Sequence, residues 1–179
     1  MAIWQFRLDL VPELAIKQKF GLVPVTIPVN LAEEFPWWSE LQPPQGFKAQ
    51  IDAILPEMPS WAKEMTLWGA DEGNTAAVCF DRENNVEWIG FRVDVRNLSP
   101  IFVKAVCDLA RNLDCLLLTA EHHVLAPEAS IVLAEIEAST AAKYLRDPVS
   151  TLKNLPNKEG EIIPFPLQRR KDGSKPDSK

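Results

Sequence analysis

The chain has 179 residues, a formal net charge of -6 at pH 7, and apolar and charged fractions of 46% and 25%. These fractions are typical of a soluble globular protein and disfavour a disordered chain. A membrane protein is disfavoured too, since no apolar run approaches the roughly 18 to 20 residues that a membrane helix requires. The length predicts one domain over residues 1–156, followed by an extended, disordered basic tail over residues 157–179.

The cysteines and the N-terminus indicate the compartment. Cys79, Cys107 and Cys115 are odd in number and lack the spacing of a metal site, so we expect reduced thiols rather than disulfides. The N-terminus carries Arg7 and Asp9 among its apolar residues and lacks the pattern of a signal peptide. We therefore expect a cytoplasmic protein.

The first sixty residues change character after a regular start. Residues 3–10 alternate between apolar and polar side chains, which predicts a strand, and a short helix follows over residues 12–20. Residues 22–61 then contain seven prolines and three tryptophans, a combination that cannot form a continuous sheet. We interpret these residues as an insertion-like segment that contains one helix, over residues 47–55.

The middle of the chain predicts most of the sheet. Residues 64–68 and 75–80 are expected strands, and a polar loop leads from the second into a strand over residues 86–96, which makes an antiparallel meander. A helix over residues 99–112 begins at a Ser-Pro pair, because the hydroxyl caps it and proline lacks the orphan amide. The unbroken apolar run at residues 115–119 is typical of an interior strand buried on both faces.

The remaining elements complete the predicted fold class. We expect a short strand at residues 124–125, a helix after Pro127 with a break near Ser139, and a final helical turn that begins at Pro148. Together the elements predict an α+β fold. It has a mixed, mainly antiparallel sheet of five or six strands, helices mostly on one face and a basic C-terminal tail. A parallel pairing of residues 86–96 with the last long strand would require a right-handed crossover.

The common signatures of catalysis and cofactor binding are absent from the sequence, so we expect neither a catalytic residue nor a cofactor. The histidines, His122 and His123, are adjacent, and neighbouring side chains in an extended turn point to opposite faces. They are therefore poorly placed to bind one metal ion, and we expect no metal site. A histidine acting as a general base with Glu121 or Asp114 would need a nucleophile that the sequence does not identify.

Charged residues and a tryptophan share the polar face of two predicted strands. One interpretation is a solvated face with cross-strand salt bridges, each contributing roughly 0.2 to 1 kcal/mol. The other is a binding surface, because arginine and tryptophan are enriched among interface hot spots and a guanidinium suits carboxylate or phosphate groups. The residues of this face are Arg7 and Asp9 on the first strand, and Trp88, Arg92, Asp94 and Arg96 on the later one.

Two details qualify that surface. Flanking arginines should lower the pKa of Asp94 and keep it ionised, which suits a fixed anion better than a proton shuttle. Trp37 and Trp38 are consecutive, so they cannot both point inward from an extended segment. We expect one of them to be exposed, either as a plug at the edge of the core or as an anchor for a partner.

Four stretches of the sequence carry a resemblance to known proteins. They are IWQFRLDLVP, IGFRVDVRN, DCLLLT and STAAKYLRDP. In these stretches the chain resembles a group of small uncharacterised bacterial cytosolic proteins. In size, acidity and lack of catalytic motifs it is similar to the immunity proteins of bacterial toxin systems, which bind and block a cognate toxin. The resemblance implies a protein partner and no role for any individual residue.

The sequence thus favours a non-enzymatic protein that binds another macromolecule, such as an immunity-type inhibitor. The body is more acidic than the total charge because the tail is basic, and an acidic body disfavours nucleic acid as a ligand. The alternative is a small-molecule site or enzyme, in a cleft between the sheet and residues 22–61, where Arg92 and Arg96 receive an anion. A third interpretation is a homo-oligomer that buries the charged face.

Overall fold

A computed structural model describes residues 2–70 and 72–154 of the chain, and the predicted tail at residues 157–179 lies outside them. The strands are β1 (Gln5–Pro12), β2 (Glu57–Met58), β3 (Met65–Gly69), β4 (Thr75–Phe80), β5 (Val86–Asp94), β6 (Cys115–Thr119) and β7 (Val124–Leu125). The helices are α1 (Glu13–Phe20), α2 (Val29–Glu34), α3 (Phe47–Asp52), α4 (Pro100–Asn112), α5 (Ala129–Ala138), α6 (Thr140–Arg146) and α7 (Pro148–Asn154). A single 3-10 turn, Val95–Asn97, joins β5 to the loop before α4.

The strands form one seven-stranded sheet in the order β2-β3-β4-β5-β1-β6-β7. The α+β class is confirmed, and the sheet has slightly more strands than the five or six predicted. Every pairing between neighbouring strands of the described residues is antiparallel, so the sheet is not mixed. The meander predicted for β3, β4 and β5 is confirmed.

The first strand separates β5 from β6. Both strands pair with β1 in the antiparallel sense, so they run in the same direction without touching each other along the ladder. Helix α4 therefore connects two strands that run in the same direction, with β1 between them. β1 pairs along both of its edges and is almost entirely buried at the centre of the sheet, a position that no local pattern near β5 reveals.

Helix α4 packs on the apolar face of the sheet, against β6 and against Phe91 of β5. Ser99 Oγ accepts a hydrogen bond from the Phe102 amide at 3.2 Å and caps the helix, as its Ser-Pro start predicts. The ring of Phe102 packs 6.4 Å from that of Phe91 in β5. In β6, which lies on the other side of β1, every residue is buried, as the apolar run predicts. The core thus continues on both sides of the centre of the sheet.

Residues 22–61 belong to the core rather than forming an appendage. Trp37, Trp38, Phe47 and Ile51 all lie in the same cluster of buried residues as the strands. The segment also contains α2 and β2, which the sequence analysis does not predict because both are very short and flanked by prolines. Its prolines end local elements without preventing the segment from packing.

Two smaller observations complete the fold. The predicted break near Ser139 is confirmed, since Ser139 Oγ accepts a hydrogen bond from the Ala142 amide at 3.3 Å and caps a new helix, α6. Within residues 2–70 and 72–154, each helix is either too short or too polar to span a lipid bilayer.

Candidate functional site

The candidate site lies on one face of β4, β5 and β1, which we call the outer face. Arg7 of β1 stands directly opposite Arg92 of β5, Asp9 stands opposite Gly90, and Cys79 of β4 stands opposite Trp88. Because side chains alternate along a strand, these residues point away from the Phe91 side that α4 covers. The sheet register alone therefore brings together groups that lie far apart in the chain.

Arg7 and Trp88 form the best-defined contact of the outer face. The guanidinium carbon of Arg7 lies 5.2 Å from the centre of the Trp88 ring, within the range of a cation–π interaction. Arg7 also forms an ion pair with Asp9, with Nη2 and Oδ2 2.6 Å apart. The Trp88 ring lies against its own strand, because a Cβ at Gly90 would stand 2.0 Å from its Cζ2 atom.

Burial and neighbouring charges act in opposite directions on the ionisable groups of the outer face. Burial is the largest cause that lowers the pKa of Arg92; the charge of Arg7 lowers it further and that of Asp9 raises it. The pKa of Asp9 is raised, because burial outweighs the attraction and hydrogen bond of Arg7. The guanidiniums of Arg7 and Arg92 thus face each other, with the carboxylate of Asp9 beside them.

Asp94, the last residue of β5, and Arg96, in the turn that follows, form a separate set of contacts. The strand ends at Asp94, and the following 3-10 turn breaks the alternation that would have placed Arg96 on the outer face. Asp94 accepts hydrogen bonds from Arg96 Nε at 2.9 Å and from Asn97 Nδ2 at 3.3 Å. Its pKa is lowered, with the hydrogen bond from Arg96 as the largest cause, as the sequence predicts. The guanidinium of Arg96 also lies 4.7 Å from the centre of the Trp4 ring.

Both Trp37 and Trp38 are buried, with exposed fractions of 7% and 2%, so the expectation that one is exposed is wrong. The backbone turns at this point, since the Ser39 amide donates to the Pro36 carbonyl at 3.0 Å. A turn removes the strict alternation of an extended segment, and both indoles can then point inward. The exposed tryptophan of this segment is Trp61, at 65%, which the sequence analysis did not select.

Trp38 also lies where the sequence analysis placed an alternative site, a small-molecule cleft between the sheet and residues 22–61. Its Nε1 donates to the Leu10 carbonyl of β1 at 3.1 Å, and Gln42 bonds to both the amide and the carbonyl of Val86 in β5. The predicted cleft between the sheet and residues 22–61 is therefore filled at these contacts. A pocket of about 150 Å³ lies elsewhere, between Arg7 and the start of α6 at Thr140.

The histidines take part in local contacts. His123 Nδ1 lies 2.6 Å from Glu135 Oε1 and connects the turn between β6 and β7 to α5. His122 occupies the turn itself, with a φ of 66°. Within the part of the chain that the structure describes, no group of three or more His, Cys, Asp or Glu residues is arranged to hold a metal ion.

Of the six binding residues predicted, Trp88 and Arg92 lie at the centre of the outer face, and Asp94 lies on the same face at the end of β5. The face also contains Arg7 and Asp9, which the sequence analysis already places there, and the structure adds Gly90. Arg96 lies in the turn after β5, and Trp37 and Trp38 lie in the core. No family model matches the chain, and comparisons with curated proteins and with solved structures find no significant match. The function of the outer face is therefore inferred from its geometry.

Proposed function

We propose that this protein is a non-enzymatic binding protein that docks another protein on its outer face. The observation that carries the proposal is the direct opposition of Arg7 and Arg92 across β1 and β5. Two like charges at directly opposed positions repel each other, and the Asp9 carboxylate beside them offsets part of that repulsion. Departures of this kind from the rules of stable sequences are expected where a surface is kept for function.

The composition of the outer face supports a protein partner. Arginine and tryptophan are the residue types most often found to dominate binding energy at protein interfaces. Trp88 is already held between the backbone at Gly90 and the guanidinium of Arg7, so little side-chain entropy is lost when a partner covers it. The ionised Asp94 is engaged by Arg96, which supports a structural rather than a catalytic role for that carboxylate.

Within this proposal, the partner is a bacterial toxin and the protein is its immunity-type inhibitor. The resemblance of the sequence to immunity proteins supports this finer assignment. Cys79, Cys107 and Cys115 are all unpaired, which supports the proposed location in the cytoplasm, where thiols stay reduced.

The test compares two variants of the tagged full chain as baits in lysate from cells that produce the protein. Arg92→Gln removes one cation of the outer face, whereas Lys104→Gln removes a cation from α4, on the opposite side of β5. We expect Arg92→Gln to capture at least about tenfold less of a specific partner, and its melting temperature to stay within about two degrees of the wild type. Equal capture by Arg92→Gln and the wild type would overturn the proposal.

A captured partner then tests the finer assignment. An immunity-type inhibitor should suppress the toxic activity of the captured protein, and Arg92→Gln should suppress it less. Light scattering coupled to size-exclusion chromatography tests the alternative of self-association: a dimer that Arg92→Gln dissociates would mean that the outer face is covered by a second copy. A metabolite that raises the melting temperature of the wild type but not of Arg92→Gln would favour the small-anion alternative.

A further inference from the structure

We infer that the pocket beside the start of α6 receives an uncharged amide side chain, that of a glutamine or an asparagine, from the protein that docks on the outer face. The pocket has a volume of about 150 Å³ and lies between the first residues of β1, the turn after β6 and the start of α6. The inference rests on the proposed function for the identity of the partner. It adds a second contact and states which chemical group that contact recognises.

The pocket adjoins the outer face through β1. Gln5 and Arg7 are two residues apart in this strand, so their side chains lie on the same side of it. Arg7 belongs to the outer face and also lines the pocket. Because Arg7 already pairs with Asp9, we assign recognition inside the pocket to other groups. A partner that covers Trp88 can extend a side chain past Arg7 into the pocket.

The volume of the pocket limits the size of the group that binds there. A cavity of about 150 Å³ holds a group of about six non-hydrogen atoms, the size of benzene. Sites for drug-sized ligands are larger, at roughly 300 to 1,000 Å³. The side chain of one glutamine or asparagine fits the smaller volume, and Ile3 and Phe6 line the pocket with apolar groups for its methylenes. The pocket therefore suits a single side chain of a partner.

Gln5 supplies hydrogen-bond donors to the pocket. Its exposed fraction is 7%, and its Oε1 accepts a hydrogen bond from the Ala2 amide at 3.2 Å, which distinguishes the oxygen end of the carboxamide from the nitrogen end. Its Nε2 makes no hydrogen bond with the residues that the structure describes. Because Gln5 lines the pocket, the two N–H groups of Nε2 can donate to a carbonyl oxygen placed there.

Two other residues supply acceptors. Glu121 in the turn after β6 and Thr140 at the start of α6 line the pocket, and carboxylate and hydroxyl oxygens accept hydrogen bonds. An amide accepts through its carbonyl oxygen and donates through its NH₂, so it can bond to Gln5 and to these oxygens at once. A carboxylate would be repelled by Glu121, and an ammonium group could not accept from Gln5. The uncharged amide is therefore the group that matches the pocket.

The test uses the full chain and three probes of nearly equal size, propanamide, propanoate and butanone. Propanamide reproduces the side chain of glutamine, propanoate replaces its NH₂ by a charged oxygen, and butanone replaces its NH₂ by a methyl group. We expect propanamide to bind with a dissociation constant of roughly 10 mM and to shift the NMR signals of the Gln5 side-chain amide. The other two should bind at least about tenfold more weakly.

Variants locate the binding, followed by the backbone amide signal of Ala141, which also lines the pocket. Gln5→Glu keeps the oxygen that accepts from the Ala2 amide and removes the donor, so it should lose propanamide binding. Gln45→Glu is the control, because it makes the same charge change at an exposed residue outside the pocket. Ala120→Leu fills the pocket from an exposed position, and it replaces Gln5→Glu if the latter fails to fold.

Ala120→Leu should also lower partner capture at least about tenfold. The inference is overturned if propanamide at about 100 mM leaves the Gln5 side-chain signals unmoved, or if propanoate or butanone binds as tightly. It is also overturned if propanamide binds but Ala120→Leu captures the partner as well as the wild type does, because the partner would then not use the pocket. In each case, partner capture that still depends on Arg92 would leave the proposed function standing, so the two failures are distinguishable.

Discussion

The ring of Trp88 occupies the space where a side chain at Gly90 would lie, since a Cβ there would stand 2.0 Å from ring atom Cζ2 and 2.5 Å from Cη2. Gly90 is needed for this space and not for its backbone conformation, because its φ is not positive, unlike that of Gly69. The missing side chain is what allows an aromatic ring to lie flat on the sheet beneath Arg7.

Gly90→Ala should therefore displace the Trp88 ring and weaken its contact with Arg7. The expected change in unfolding free energy is small, about 1 kcal/mol in either direction, because alanine favours the strand while the ring must move. Partner capture should fall although no charged group is removed. Gly73→Ala is the control, since a Cβ there meets its nearest atom at an ordinary 3.7 Å. An unchanged Arg7 Nε–Hε signal in Gly90→Ala would contradict the prediction.

The side chain of Gln42 makes hydrogen bonds to the backbone at the start of β5, as a neighbouring strand would. Its side chain accepts a hydrogen bond from the Val86 amide at 2.6 Å and donates one to the Val86 carbonyl at 3.0 Å. Gln42→Ala leaves both backbone groups without these bonds, so we expect a loss of about 2 kcal/mol in unfolding free energy, measured by urea denaturation. Gln45→Ala, at an exposed residue of the same segment, should cost less than about 0.5 kcal/mol. Equal stability of the two variants would show that the contact is dispensable.

Asp94 should make the protein sensitive to acid. Its pKa in the folded protein lies below the ordinary value of 3.8, chiefly because of the hydrogen bond from Arg96. Its contribution to stability is therefore present above pH 3.8 and lost as the pH falls through the lowered value. We expect Asp94→Asn to lower the unfolding free energy by about 2 kcal/mol at neutral pH, and the difference from the wild type to shrink below pH 3.8.

Thermal unfolding followed at several pH values between neutrality and strong acid measures that difference. Asp108→Asn serves as the control, because Asp108 pairs with Lys104 on the exposed side of α4, where ion pairs contribute little. A difference in stability between Asp94→Asn and the wild type that stays constant across the whole pH range would contradict the proposed contribution of ionised Asp94.

The thiols should react slowly with a disulfide reagent such as DTNB. Burial raises the pKa of Cys79 and of Cys107 to about 11, and that of Cys115 to about 12, so little thiolate is present at neutral pH. Cys107 and Cys115 are also buried, whereas Cys79 is partly exposed. We expect Cys79 to react first and the other two only after unfolding. Rapid labelling of all three in the native protein would contradict the packing.

Several elements could be predicted from neighbouring residues alone. The strands over residues 75–80 and 115–119 and the break near Ser139 are predicted from the sequence, the second strand from an unbroken apolar run, and the structure confirms them. The ionised state of Asp94 follows in the same way, because its partner Arg96 is two residues away. In each case the interaction that determines the outcome lies within one strand or one helical turn.

The outer face depended on the tertiary structure. Arg7 and Arg92 are distant in the chain, and only the insertion of β1 between β5 and β6 sets them opposite each other. The burial of Trp37 and Trp38 likewise depends on a turn that docks on β1 and β5. Sequence patterns report which residues share a face of one element, whereas the register between strands results from long-range packing of the whole core. The residues of this protein thus determined its strands and helices locally, and the fold decided which of their charges meet.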